Sequence, residues 1–254
     1  MPGEFAVMST LLQNAAPAVS QHQSSQRSAP KAGEPEAALR EHATAVRARR
    51  RQRLALDNAQ ADAVYIVRSG LLGIEAASPG KHRQLLELFY PGDIIRRSLV
   101  PDLPGITLTA LNVTEVWRLP GRSFDALLAA SPEQSAHAHR RLADQHARAT
   151  LHASIIGALN GDERFASLLV ELGLRLGAAV PAGISIDVPL SRTDIADYLA
   201  LNPDTLSRIT SRFKARGLLM HLGGGHTVLP AWDALLGASP VATTLQALHA
   251  PRPA

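Results

Sequence analysis

The stretch Leu190–Leu219, LSRTDIADYLALNPDTLSRITSRFKARGLL, carries the side chains with the most specific chemistry in this chain. After Pro203, short hydrogen-bonding side chains recur on one face of a helical pattern, with apolar side chains on the other. The outward set is Asp204, Thr205, Ser207, Arg208, Ser211 and Arg212, with Lys214 beyond it. Arginine can donate two hydrogen bonds to guanine, and serine can bond a base or a phosphate. The pattern therefore favours a helix that reads DNA bases.

The acidic member of this set, Asp204, falls in the first helical turn. That turn is where a recognition helix meets base edges. A carboxylate accepts a hydrogen bond from cytosine N4, but it repels phosphate. We therefore expect Asp204 to contribute specificity rather than affinity, and Lys214 and Arg216 to lie nearer the DNA backbone.

Two short helices with a tight turn would hold this face outward. Ser191 and Asp194 have the spacing of a capping box, and Asn202 with Pro203 suits the start of a second helix. The inward apolar positions are Ile195, Ala196, Leu199, Leu206, Ile209 and Phe213. The sequence thus predicts a helix-turn-helix, whose first helix we expect to contact DNA through Ser191 and Arg192.

A β-hairpin is predicted directly after this unit. Residues 218–222 and 226–229 are apolar β-type runs, and three consecutive glycines separate them. The hairpin would make the unit a winged helix-turn-helix. The alternative interpretation is a plain helical packing element that binds no DNA.

The composition limits what else the chain can do. Its 254 residues include no cysteine, which excludes disulfides, cysteine-ligated zinc, iron–sulfur clusters and thiol catalysis. The formal net charge of +4 permits an anionic partner without requiring one. No apolar run suits a membrane span or a secretion signal, so we expect a cytoplasmic protein that has no membrane partner. No motif joins a nucleophile, a base and an orienting group, so we expect no enzyme.

The remaining chain divides by pattern into further segments. Residues 1–45 are poor in large apolar side chains and predict disorder, and residues 237–254 predict a flexible tail. Residues 46–130 carry short β-type runs between glycine and proline turns, which indicates a sandwich or small barrel. The basic run Arg47–Arg53 is either an arm that touches phosphates or a strand's solvated face with a loop.

A long helix is predicted over residues 131–160, ahead of the winged unit at 161–236. Ser131 is a suitable N-cap and Pro132 a suitable first residue. A heptad-like seam follows at Leu142, His146, Ala149, Ala153 and Ile156. We favour a dimerisation helix over one that packs only on its own domain.

This order of β-barrel, long helix and winged helix-turn-helix resembles the CRP/FNR family of bacterial transcription regulators, roughly over Val46–Leu236. Asp204-x-x-Ser207-Arg208 resembles the Glu-x-x-Ser-Arg of the FNR and FixK branches. The resemblance implies an α+β fold and a homodimer on a two-fold symmetric operator. It also implies activation through contact with RNA polymerase, with Ser207 and Arg208 reading bases. Asp204 is one methylene shorter than the family's glutamate, and Ala200 stands where the family commonly has glycine.

The barrel resembles the family's cyclic-nucleotide-binding β-roll at Tyr65–Gly70 and Tyr90–Asp93. Members that bind cyclic AMP carry a Gly-Glu pair for the ribose and an Arg-Ser pair for the phosphate. Here Arg96-Arg97 and Pro104-Gly105 stand in those places, so we expect no cyclic-nucleotide binding and no cofactor. Arg96 and Arg97 could bind an acidic partner, but we expect them to be solvated loop residues.

Two other functions stay open from the sequence. The barrel could bind an unknown effector or haem, and the candidate haem ligands are His82, His137, His139, His146 and His152. It could instead receive a partner protein, for which the sequence offers no test.

Overall fold

The computed structural model describes residues 43–58, 61–77, 83–100, 105–223 and 226–249. Over these residues the chain forms thirteen strands and seven α-helices, which confirms the expected α+β class. His82 and Pro104, and nearly all of the segment predicted to be disordered, lie outside the described residues. Within the described residues, no helix combines the length and hydropathy that crossing a membrane requires.

The first nine strands form two antiparallel sheets, which we call the β-roll. They are β1 (Thr44–Ala48), β2 (Arg53–Leu54), β3 (Asp57–Asn58), β4 (Ala61–Ser69), β5 (Leu72–Ala77), β6 (Arg83–Phe89), β7 (Ile94–Arg96), β8 (Thr107–Ala110) and β9 (Thr114–Pro120). One sheet has the order β1-β9-β4-β3, with β7 also paired to β4, and the other has the order β2-β8-β5-β6. Val67, Leu72 and Val116 belong to the buried core that the two sheets share. The predicted sandwich or barrel is thereby confirmed.

Two helices follow the roll, α1 (Gly121–Ala130) and the 27-residue α2 (Pro132–Ala158). Ser131 caps α2 as predicted, because its side chain accepts a hydrogen bond from the amide of Gln134. Buried Gln145 ties α2 to β7: its Oε1 accepts from the amide of Ile94 at 2.8 Å, and its Nε2 donates to the carbonyl of Ile94 at 2.9 Å. The long helix is therefore fixed to the roll by a complete pair of hydrogen bonds.

The next helix, α3 (Gly161–Leu176), is the central element of the C-terminal unit. Asn160 ends the previous helical run and starts α3 through a capping box with Glu163. Phe165, Leu168 and Leu172 of α3 are buried in the core of this unit.

The C-terminal unit continues with four strands and four helices. These are β10 (Ala178–Val180), β11 (Gly183–Asp187), α4 (Arg192–Tyr198), α5 (Pro203–Ala215), β12 (Met220–Gly223), β13 (His226–Leu229), α6 (Trp232–Gly237) and α7 (Ala242–His249). The strands pair in the order β10-β11-β13-β12, so the predicted hairpin is present as β12 and β13. The hairpin packs beside the helix-turn-helix as a wing.

Two expected boundaries need correction, while the remaining domain bounds stay predictions. The flexible tail expected from residue 237 is wrong for residues 242–249, which form α7 and bury Leu245 in the core around α3. The disorder expected up to residue 45 is wrong for Thr44 and Ala45, because β1 pairs them with Arg118 and Trp117 of β9. In both places tertiary packing orders a segment whose composition alone does not indicate a helix or strand.

Candidate nucleic-acid interface

Helix α4 begins with the capping box that the sequence predicts. The Ser191 hydroxyl accepts from the amide of Asp194 at 3.1 Å, and an Asp194 carboxylate oxygen accepts from the amide of Ser191 at 2.9 Å. The hydroxyl of Ser191 also donates to that carboxylate at 2.6 Å. Burial opposes ionisation of Asp194, but the hydrogen bonds from Ser191 and Arg83 outweigh it and hold the pKa of this carboxyl below its usual value.

The turn between α4 and α5 is tight and strained at one position. The amide of Leu201 donates to the carbonyl of Ala196 at 2.9 Å, which closes the turn. Ala200 has a φ of +50°, in the left-handed region that favours glycine. Alanine at this position therefore carries backbone strain.

Helix α5 has the capping and the inner face that its sequence predicts. The Asn202 side chain accepts from the amide of Asp204 at 2.8 Å, and Pro203 is the first helical residue. Leu206, Ile209 and Phe213 are buried. The ring of Phe213 meets that of Phe165 edge to face, with centroids 5.1 Å apart. The outer face of α5 is therefore set by packing against α3.

The outer face of α5 is open to solvent. Every member of the predicted set is exposed: Asp204, Thr205, Ser207, Arg208, Ser211, Arg212 and Lys214. Arg208 forms no ion pair with any described residue, so its guanidinium is available to a ligand. The Ser211 hydroxyl donates to the carbonyl of Ser207 at 3.0 Å and must turn away from the helix to bond a base.

Arg212 has a protein partner that the sequence did not indicate. Its Nε donates to Asp162 at the start of α3 at 3.3 Å, and its Nη2 contacts the other oxygen of that carboxylate. Both side chains are more than a third exposed, so the pair is weak and solvent-screened. Arg212 must release Asp162 before it can bind DNA. Arg208 differs because it has no ion-pair partner among the described residues. The two residues are fifty positions apart in the chain, so no local sequence pattern predicts this pair.

At the start of α4 the two predicted DNA contacts differ. Arg192 is exposed, whereas Ser191 is half-buried and its hydroxyl serves the cap. In the wing, His221 Nδ1 lies 2.9 Å from the hydroxyl of Thr227, which braces the two strands.

The seam of α2 is only partly open. His146 and Ala153 are exposed, and Ala149 and Ile156 are half-buried. Leu142 instead packs against a roll cluster that includes Ile94 and Phe124. The seam thus runs from a contact with the roll to a free surface near the C-terminal end of α2.

The expectation that Arg96 is a solvated loop residue is wrong. Its Nε donates to Asp62 at 2.7 Å and its Nη1 to Asp125 at 2.7 Å, so the guanidinium joins β4 to α1. The hydrogen bonds from Asp125 and Asp62 raise the pKa of Arg96 above its ordinary value. Arg97 donates to the carbonyl of Val100 at 3.3 Å. Arg96 is therefore a structural clamp between β4 and α1.

The described candidate haem ligands do not converge on one point. His137, His139 and His146 are exposed at separate positions of α2, and His152 stacks on Tyr198 of α4. Burial lowers the pKa of His152 to about 4. Among the described residues, no three histidines or carboxylates are grouped so that they could hold a metal ion.

Comparisons with known proteins agree with this architecture. Two family models match, a Crp-like helix-turn-helix domain over residues 163–237 and a cyclic nucleotide-binding domain over residues 45–131. The transcriptional activator protein FnrA of Stutzerimonas stutzeri is 27% identical over 157 residues, which are 61% of this chain and 64% of FnrA. The nitrogen fixation regulation protein FixK of Bradyrhizobium diazoefficiens is 26% identical over 65% of this chain and 69% of its own.

Solved structures extend the similarity beyond the aligned sequence. FixK2 from Bradyrhizobium japonicum superposes with a TM-score of 0.66 and 25% identity, over 78% of this chain and 97% of FixK2. A CooA mutant from Carboxydothermus hydrogenoformans has the same TM-score at 21% identity, over 82% of this chain and 93% of CooA, and shows the shared fold. Both similarities extend over most of the chain rather than over one domain.

Proposed function

This chain belongs to the CRP/FNR family of bacterial transcription regulators, and from that premise we propose that it binds a specific double-stranded DNA sequence as a homodimer. The observation that carries the proposal is the outer face of α5. Ser207 and Arg208 are exposed on a helix whose cap and inner face hold it rigidly. Arg208 is our candidate for guanine recognition, and Asp204 for a neighbouring base.

The dimer would form through the free part of α2. His146, Ala149, Ala153 and Ile156 leave a narrow stripe of small and apolar surface on this helix, which suits a second copy of the same helix. A two-fold dimer would place two α5 helices in successive major grooves, roughly 34 Å apart. The operator would then be a two-fold symmetric sequence.

We propose that the regulator is an activator that contacts RNA polymerase. FnrA and the Anr proteins of Pseudomonas protegens and Pseudomonas aeruginosa are transcriptional activators, which supports this direction of regulation. In vitro transcription from a promoter that carries the operator would test the proposal. Increased transcript from purified polymerase is the expected result, and repression would contradict it.

We propose further that DNA binding does not depend on a cyclic nucleotide. Arg96 has no acceptor for ribose hydroxyls, and its guanidinium is already engaged with Asp62 and Asp125. A cleft of about 240 Å³ lies between the roll and α2, below the roughly 300–1,000 Å³ of typical small-molecule sites. Calorimetry with cyclic AMP and cyclic GMP should give no heat of binding, and micromolar affinity for either would contradict the proposal.

Selection of bound duplexes from a random DNA pool tests the main proposal. Purified protein should enrich a two-fold symmetric sequence without any additive. Enrichment only in the presence of cell extract would favour the alternative of an effector-responsive regulator. Failure to retain any duplex at low ionic strength, with or without extract, would exclude DNA binding.

A further inference from the structure

A cluster of ionic groups joins the β-roll to the helix-turn-helix. Arg83 of β6 donates from Nη1 to Asp197 at 2.9 Å, and from Nη2 to Asp194 and to Glu75, each at 2.8 Å. Glu75 belongs to the roll, whereas the two aspartates belong to α4. The planar guanidinium of one arginine therefore connects three carboxylates across the domain boundary.

Arg51 adds a second connection from the roll. Its Nη2 lies 3.1 Å from Asp194 and its Nη1 lies 3.8 Å from Glu75. Its backbone has a φ of +67°, a strained conformation for a residue other than glycine. The amide of Arg51 donates to the carbonyl of Ala110 at 2.7 Å, which holds this strained loop on β8. Arg51 is thus held in place by the roll and faces α4.

The arginines of the basic run Arg47–Arg53 therefore have different roles. Arg47, Arg49 and Arg53 are exposed, as a solvated face predicts. Arg51 instead belongs to the ionic cluster, and half-exposed Arg50 lies at its margin, 3.8 Å from Asp194.

Asp194 takes part in both a helix cap and the ionic cluster. Its carboxylate caps α4 through Ser191, and it also receives Arg83 and Arg51. Its side chain is completely buried, so an unpaired charge there would be strongly unfavourable. The groups that start α4 are consequently the groups that attach it to the roll.

A second contact fixes the other end of α4. The ring of Tyr198 stacks on the ring of His152 in α2, with centroids 3.8 Å apart and planes 7° from parallel. Helix α4 is thus attached to the roll near its first turn and to the long helix at its last residue. Because the closed turn connects α4 rigidly to α5, these contacts also set the direction of α5.

We propose that Arg83 is a positioning residue for DNA binding, which holds the two recognition helices of the dimer at the spacing of the operator. This inference rests on the proposed function and deepens it. The protein's own guanidinium group, rather than a bound effector, orients the helix-turn-helix on the roll. Arg83 itself lies on the roll, away from the outer face of α5, and acts through Asp194 and Asp197.

The test measures how sharply binding depends on operator geometry. The selected operator is made with one or two base pairs added or removed at its centre, and affinity is measured for each duplex. The wild-type protein should bind the duplexes with the wrong spacing at least a hundredfold more weakly than the selected operator. The Arg83→Gln variant should bind the correct spacing at least tenfold more weakly and should discriminate among spacings by less than tenfold. General destabilisation alone would weaken all duplexes without flattening this profile.

Two further variants keep the test decisive. Asp197→Asn removes one of the charges that face Arg83 while preserving the shape of the side chain, and should flatten the profile in the same direction. Arg122→Gln removes a charge from the exposed face of α1 and should leave the profile unchanged. If Arg83→Gln does not fold, the spacing profile of Asp197→Asn tests the proposal in its place. A wild-type spacing profile in the folded variants would overturn the proposal.

A distance measurement separates this proposal from the proposed function. The chain has no cysteine, so Ala126→Cys on α1 and Ala234→Cys on α6 give unique spin-label sites. Labelled protein is diluted with unlabelled protein so that only distances within one protomer contribute. The distribution should be narrow in the wild-type background and broader with Arg83→Gln. An unchanged distribution would overturn the positioning role even if the protein bound no DNA.

Discussion

The outer face of α5 and the junction between the roll and α4 are both built from charged and polar side chains, but they use them in opposite ways. On α5, Arg208 is exposed and lacks an ionic partner within the described chain. At the junction, Arg83 contacts three carboxylates and Asp194 is fully buried. One region keeps its donors free for a ligand, whereas the other uses them to fix an orientation. Substitutions on α5 should therefore change DNA binding and leave stability unchanged, whereas substitutions at the junction should change stability or the orientation of α5.

The strongest contrast should come from Asp194→Ala at the junction. The variant removes one of the two carboxylates that Arg83 and Arg51 share and also removes the α4 cap, so we expect a loss of about 2–5 kcal/mol in unfolding free energy. Urea unfolding followed by circular dichroism measures this loss. Ser207→Ala on the exposed face is the control and should change stability by less than about 0.5 kcal/mol. Equal losses in the two variants would abolish the distinction between the regions.

The converse contrast is Arg208→Ala, which should leave stability unchanged and cost about 1–3 kcal/mol of operator affinity. The loss should be confined to one base pair in each half-site, because a bidentate contact to guanine would disappear. Binding titrations against operators substituted at each position measure it. Lys214→Ala is the matched control, and should weaken all sequences alike and lower the salt dependence by about one ion per protomer. If Arg208→Ala instead weakened binding to all operator sequences equally, Arg208 would contact the phosphate backbone rather than a base.

The same two regions explain how far the sequence could predict the structure. The caps at Ser131, Ser191 and Asn202 and the buried face of α5 are local patterns, and the structure confirms each of them. The recognition face follows from that periodicity, because an inward stripe defines the outward one. Its role in reading DNA stays a prediction.

The junction could not be predicted, because its partners are far apart in the chain. Arg83 meets Asp194 across 111 residues, and Arg96 meets Asp62 across 34. A charged side chain is more often solvated than paired, so the sequence alone favours a solvated loop for Arg96. The fold alone brings these groups together, and no local spacing indicates it.

A pH-dependent effect should separate the α2 side of the junction from the exposed histidines of the same helix. Burial, together with a smaller effect of the nearby Arg164, lowers the pKa of His152 to about 4 against an opposing hydrogen bond with the Tyr198 backbone. The folded protein keeps this ring neutral, while the unfolded chain protonates it near pH 6.5. Its contribution to stability is therefore present above pH 6.5 and is lost as the pH falls toward 4.

His152→Phe, which can still stack on Tyr198, tests this effect. Between pH 7 and pH 5 the wild-type protein should lose about 1–2 kcal/mol more unfolding free energy than the variant. His139→Gln, at an exposed position of α2, should follow the wild-type dependence. Parallel curves for the wild type and His152→Phe would show that the stacked histidine does not report on the junction.

The smallest expected effect lies in the turn that connects the two regions. Ala200 has a φ of +50°, so Ala200→Gly should relieve strain of about 1 kcal/mol, partly offset by the greater freedom of glycine in the unfolded chain. We expect a rise of about 1–3 °C in the thermal midpoint, measured by scanning calorimetry, with operator affinity unchanged. Ala126→Gly makes the same chemical change inside α1 and should lower the midpoint. A lower midpoint for Ala200→Gly would mean that the methyl group of Ala200 stabilises the turn by more than its backbone strain costs.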